Sequence, residues 1–230
     1  MFESKYNNFL TGLLIVIIIA IVGLLGFLGF TYYKNYATKK GASDYVDTFS
    51  DGIGEITEET PKNTSGEGDI SGNLIEGVSS SGNTNSSTSS LRKKKVLYNG
   101  FEVLGTIEIP KTNVKYPILA RVTKNSLENS VAVLYPQNAE LNTPGNVVII
   151  GHNYRNGLFF SNNKKLSNGD KVYITDLSGN KVVYVIYNTF ETSPEDTSFY
   201  NRDTNGAKEI TLSTCNDDTS ARLIIEARAE

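Results

Sequence analysis

The sequence predicts a mainly β fold, a closed or nearly closed barrel preceded by one transmembrane helix and a flexible linker. Roughly eight short runs rich in Val, Ile, Tyr and Thr, each bounded by turn residues, fill the chain after Gly100. The eighteen residues Leu13–Phe30 carry no polar side chain. Between these two regions lies a segment rich in Gly, Ser, Thr, Asn and acid, with few large apolar groups.

The apolar run comes first. No charge occurs between Lys5 and Lys34. Eighteen helical residues rise about 27 Å, close to the hydrocarbon thickness of a bilayer. Tyr32 and Tyr33 follow, where amphipathic rings favour the interface. A cleaved signal peptide has a shorter apolar region and a small-x-small site soon after it, and no such site follows here. A retained anchor spanning about residues 10–33 is therefore expected, within an N-terminal unit of residues 1–40. The flanking charges, Lys5 before the span and Lys34, Lys39 and Lys40 after it, would by themselves leave the C-terminal side in the cytoplasm.

Residues 41–98 read as a linker. Between Gly41 and Ser90 there are nine acidic residues against one Lys, and Arg92-Lys93-Lys94-Lys95 follows. Such a segment buries too little apolar surface to offset its ordering entropy. As a flexible coil it would hold its ends about 40 Å apart.

The folded domain is expected over residues 99–230, enough chain for an independent core. Val103–Ile109 stops at Pro110, and Val114–Leu119 follows a Lys-Thr-Asn turn. Val131–Tyr135 stops at Pro136, and the loop 142–146 precedes Val147–Ile150. Lys171–Thr175 and Lys181–Phe190 flank the turn 176–180. Glu209–Thr214 and Arg222–Ala227 complete the strands. Helical spacing occurs only over Thr123–Asn129 and Leu158–Leu166.

The net charge of −3 and the lack of a basic face with interleaved aromatics exclude a nucleic-acid partner as an expectation. With one Cys, no intramolecular disulfide can form, and on an exported chain a lone thiol is a candidate reactive group. The chain also holds a single His.

His152 follows the apolar strand Val147–Ile150, Cys215 ends the run Ile210–Thr214, and Arg222 opens the last strand. Each alone has an ordinary reading: a structural imidazole, a small buried hydrophobe, a solvated charge. Together they match a chemical need. A thiol attacking an amide requires a proton acceptor, and the departing amine then requires a proton. Imidazole, with a pKa near 6.5, can do both. The oxyanion formed on attack requires a fixed donor, and a guanidinium offers a rigid, permanently charged fork.

Thr211-Leu212-Ser213-Thr214-Cys215, followed by Arg222 in Ser220-Ala221-Arg222-Leu223-Ile224-Ile225, resembles the signature of sortases. Pro144-Gly145-Asn146 leading to Gly151-His152-Asn153 is similar to that family's histidine segment. Gly105-Thr106-Ile107-Glu108-Ile109-Pro110, Pro117-Ile118-Leu119 and Leu166-Ser167-Asn168-Gly169-Asp170 extend the likeness in the family's order across roughly residues 100–230.

The resemblance implies an eight-stranded β-barrel and a two-step transpeptidation. The enzyme would cleave a C-terminal Leu-Pro-x-Thr-Gly-like sorting signal on exported proteins through a thioacyl intermediate. It would then pass the protein to an amino group of a peptidoglycan precursor or another acceptor. Cys215 would be the nucleophile, His152 the proton carrier, Arg222 the anion stabiliser, and Thr214 would shape the substrate site. The catalytic domain would lie outside a Gram-positive-type membrane, against the flanking charges. No cofactor or metal is expected. Leu-Ser-Thr-Cys and Gly-His-Asn are similar to class B enzymes, yet only 20 residues separate Phe190 from Thr211, little room for that class's long helix. An L,D-transpeptidase or another cysteine hydrolase of the envelope is the first alternative. A non-catalytic tethered domain is the second.

Overall fold

A computed structural model describes residues 2–51 and 95–230. A single long helix, α1 (Phe2–Asp51), opens the chain. At 1.5 Å per residue it extends about 75 Å. Its Leu, Ile and Val side chains from Leu10 to Leu28 are exposed on every face, as lipid-facing groups would be. The helix is long and apolar enough to cross a membrane.

Beyond Tyr36 the same helix changes character. Ala42, Tyr45, Val46 and Phe49 recur at helical spacing, and Ala42, Val46 and Phe49 are fully buried. Phe49 packs with Val103, Leu119 and Ala132, and Tyr45 meets Tyr98 edge-on at 4.9 Å between ring centres. Asp47 pairs with Lys115. Residues 41–51, expected to be flexible linker, are thus helical and docked on the β domain, because this apolar stripe gives them a partner. The rest of the expected linker, 52–94, lies outside the described residues.

Eight strands form the closed barrel: β2 (Phe101–Ile109), β3 (Val114–Leu119), β4 (Val131–Tyr135), β5 (Gly145–Ile150), β6 (Lys171–Asp176), β7 (Lys181–Thr192), β8 (Lys208–Cys215) and β9 (Arg222–Ala229). A two-residue strand β1 (Leu97–Tyr98) adds a hairpin edge to β2. The order is β1-β2-β3-β4-β5-β8-β9-β7-β6, and β6 closes onto β2 with Ile107 opposite Ile174. All eight expected strands occur, with ends differing by a few residues. Closure is tight at the β2 bulge: a Cβ on Gly105 would stand 2.2 Å from the Thr175 carbonyl oxygen.

Period-two alternation sends Ile107, Ile109, Val114, Tyr116, Ile118, Val147, Ile149, Ile210, Leu212 and Ile225 into one core. Two pairings are parallel, β3–β4 and β5–β8, and each needs a crossover. The first runs through the short helix α2 (Lys124–Asn129), as the spacing over Thr123–Asn129 predicts. The second carries β6 and β7. Its return, residues 193–207, contains only turns.

The helical spacing over Leu158–Leu166 misleads. That segment forms turns and one 3-10 turn, Asn163–Lys165. Phe159 sits at φ 49, outside any right-handed helix, so that Leu158, Phe159 and Phe160 can all turn into the core. Tyr116 holds this plug, its ring 5.2 Å from that of Phe159 and its hydroxyl accepting the Phe159 N–H at 3.1 Å.

Candidate active site

The parallel β5–β8 pair places Ile150 opposite Ser213. Two residues further on, His152 and Cys215 leave adjacent strands at the same level, where neighbouring strands lie about 4.8 Å apart. The pair stays tied past its last rung. The Gly151 N–H donates to the Ser213 carbonyl at 3.2 Å, and the Thr214 hydroxyl donates to the Gly151 carbonyl at 2.8 Å. Gly151 has no room for a side chain, since a Cβ would press on Val131 and on the Phe160 ring at 2.8 and 2.9 Å.

On the other side of Cys215, antiparallel pairing with β9 sets Arg222 opposite it. The Arg222 Nη1 donates to the Cys215 Sγ at 3.5 Å. Thr192 at the end of β7 faces Arg222 in turn. Thr192, Arg222, Cys215 and His152 therefore form one row across the rim of four strands. All three residues expected to carry chemistry are brought together. Thr214 is buried, reaching the histidine strand through its hydroxyl.

The connection from β8 to β9 is locked over the thiol. The Asn216 N–H bonds the Ala221 carbonyl at 3.0 Å, and Asn153 Nδ2 reaches the Cys215 carbonyl and Asp217 Oδ1 at 3.0 and 3.1 Å. Asp217 also pairs with Lys164, and the Arg155 guanidinium caps its carbonyl. Hydrogen bonds from Lys164 and Asn153 hold the Asp217 carboxyl below the usual carboxylate range. A groove opens beside Cys215, between Asn153, Phe160 and Lys164 on one side and Glu191 and Leu223 on the other.

The His152 ring is half-buried and stacks on Tyr154, with ring centres 4.6 Å apart and planes at 24°. Burial pushes its pKa below the ordinary value, and the Arg222 charge adds to that shift. Glu128, on α2, pulls the other way. On balance these effects favour the neutral imidazole. Tyr154 lies in a loop without periodicity, so its place against His152 has no signal in the sequence. Asn153 belongs to the Gly-His-Asn motif, and that motif is its signal in the sequence.

A second polar cluster lies outside the site. Arg202 binds Glu209 at 2.6 Å, Glu226 at 2.8 Å and the Thr211 hydroxyl at 2.7 Å. Arg228 and Tyr187 complete the bonding of the buried Glu209. This network fastens the turns of 193–207 to the strands that carry Cys215 and Arg222.

The sortase domain family model matches residues 107–230, more than half of the chain. The chain belongs to the sortase family. Sortase A of Bacillus anthracis is 30% identical over 127 residues, which cover 54% of this chain and 58% of that protein. The chain thus spans little more than half the length of that curated relative. Among solved structures, a Clostridium perfringens sortase D5 transpeptidase superposes with a TM-score of 0.52 at 32% identity, covering 59% of this chain and 82% of the other. Sortase A from Corynebacterium diphtheriae follows with 0.51 at 29%, covering 56% and 61%. The sortase barrel expected from the sequence is the observed fold.

Proposed function

We propose that the chain is a membrane-anchored sortase transpeptidase whose chemistry is carried by Cys215, His152 and Arg222. The observation that supports this most is the rim row itself: the thiol lies bonded to a guanidinium on one neighbouring strand, with the imidazole at its own level on the other.

In this reading a sorting-signal peptide lies in the groove beside Cys215. As the sulfur attacks the Thr carbonyl carbon, His152 accepts the thiol proton. The carbonyl π electrons move to oxygen, and Arg222, already within reach of the sulfur, donates to that oxyanion. Collapse breaks the Thr–Gly C–N bond, and His152 returns its proton to the departing amine. A thioacyl enzyme remains. A second amine attacks it, His152 takes the amine's proton, and sulfur leaves. Thr214, Gly151 and Asn153 keep the two strand ends in register throughout.

The anchor would be α1, with the N-terminal tip cytoplasmic and the barrel outside. Membership in the sortase family and the wholly exposed apolar half of α1 support that placement. Because α1 docks on the barrel from Ala42 onward, the catalytic head would sit close to the bilayer rather than on a long tether. Clients would be exported proteins with a Leu-Pro-x-Thr-Gly-like signal, and the acceptor an amino group of a wall precursor.

The test is to incubate the detergent-solubilised chain with a panel of sorting-signal peptides and an amine. The expected result is a product in which the amine replaces the residues after Thr. Hydrolysis and aminolysis both absent across the panel would overturn the proposal.

A further inference from the structure

We propose that Arg202 is a positioning residue for peptide binding: it holds the β7–β8 connection, residues 193–207, as a prebuilt wall on the sheet face that carries Cys215 and Arg222. The inference rests on the proposed function, and its test reads the wall separately from turnover.

Alternation along the strands puts the connection and the catalytic groups on one face. In β8, Ile210 and Leu212 enter the barrel core, so Thr211, Ser213 and Cys215 point outward. In β9, Ile225 and Ala227 lie inside, which leaves Arg222, Ile224 and Glu226 outside. The pairs Thr211–Glu226 and Cys215–Arg222 are therefore two rungs of the same outer face. The connection lies on that face. Phe199 is buried with Val148 and Ile224, and Ile224 is the next outward side chain below Arg222. A peptide lying along the face toward Cys215 meets the connection there.

The connection contains only turns, so side chains at its base set its place. Asn146 Nδ2 donates to the Phe199 and Tyr200 carbonyls, each at 3.0 Å, and its Oδ1 accepts from the Thr211 hydroxyl at 2.9 Å. Arg202 reaches from the connection to the sheet. Its Nε and Nη2 donate to Glu209 at 2.9 and 2.6 Å, and its Nη1 to Glu226 at 2.8 Å and to Thr211 at 2.7 Å. Glu209 is 2% exposed and Glu226 7%. Burying charges costs about as much as pairing them returns, so an apolar cluster of equal volume would be as stable. What the rigid guanidinium fork adds is a position, because only one placement serves both carboxylates and the hydroxyl. Cys215 lies four residues beyond Thr211, roughly 13 Å along the strand, so Arg202 acts through the connection and not on the thiol.

The measurement is hydrogen exchange over residues 193–207, with Kd and kcat for a sorting-signal peptide, on the detergent-solubilised full chain. Arg202→Met alone would strand two buried carboxylates, so it is combined with Glu209→Gln and Glu226→Gln. Asn146→Ala removes the other fastening by itself. Both variants should speed exchange across 193–207 while Ile149 and Leu212 keep their protection. Kd should rise about three- to tenfold, because the peptide must then order the connection as it binds, with little change in kcat. Unchanged exchange over 193–207 in the folded variants would overturn the proposal. Faster exchange with an unchanged Kd, or a loss confined to kcat, would do the same. Faster exchange and weaker binding in a chain that binds the peptides without turning them over would uphold it and sink the proposed function instead.

Discussion

Arg222 and Cys215 face each other across the β8–β9 pair, with the guanidinium Nη1 3.5 Å from the sulfur. Backbone pairing, rather than side-chain reach, sets this relationship. Under the proposed mechanism it would give the arginine two tasks within one site: holding the thiol before attack and meeting the oxygen that becomes negative after it.

Arg222→Lys should therefore fail although it keeps the charge, because an ammonium lacks the planar fork. The loss of one oxyanion donor lowers turnover by roughly a hundred- to a thousandfold. Melting temperature should barely change, since the substitution sits at an open rim. The comparison is turnover against melting temperature, with Arg121→Lys as the control. Retention of more than about a third of normal turnover, against the loss expected for an oxyanion donor, would reduce Arg222 to a structural charge.

The pH profile follows from His152. Burial lowers its pKa, so the neutral, proton-accepting form persists below the ordinary His value of about 6.5. The acid limb of kcat/KM should accordingly have its midpoint below that value. Stability shares the sign: the unfolded chain takes up this proton first, so His152 costs no stability above the ordinary value and destabilises the fold as pH falls through its native one. An acid limb centred above 6.5 would contradict the burial of the ring.

Phe49→Ala tests the seat of α1. Phe49 is 1% exposed among Val103, Leu119 and Ala132, and emptying such a site costs about 3–5 kcal/mol. The loss should fall on the helix contact and leave β2–β9 closed. Hydrogen exchange should then show residues 42–49 losing protection while Ile149 and Leu212 keep theirs. Equal protection in both chains would mean that the helix is not held by this contact.

Much of the barrel could be read from the chain because its strands are punctuated. Pro110, Pro136 and the turn around Gly179 end runs whose Val and Ile alternation already states which face is buried. The ends of those runs also exposed His152, Cys215 and Arg222. What stayed hidden depends on partners far along the chain. The β5–β8 register that levels His152 with Cys215 is parallel, with a 57-residue crossover between Ile150 and Lys208, and no local signal reports it. The stripe Ala42, Tyr45, Val46 and Phe49 was present at helical spacing, but Asp44, Asp47 and Asp51 dissolved it into the acidic linker. Leu158–Leu166 had the opposite fault: three neighbouring apolar residues resembled a helix face, whereas a left-handed Phe159 turns them inward together.

The central claim is that Cys215 becomes acylated, and intact-mass spectrometry of the full chain tests it most directly. After brief exposure to a Leu-Pro-x-Thr-Gly peptide and an acid quench, the wild-type chain should gain the mass of the peptide through its Thr, mapped to Cys215. Cys215→Ala should show neither that mass nor turnover, and should keep the wild-type fold because the rim thiol adds little packing. Product formation by Cys215→Ala, or an adduct on any other residue, would contradict the account.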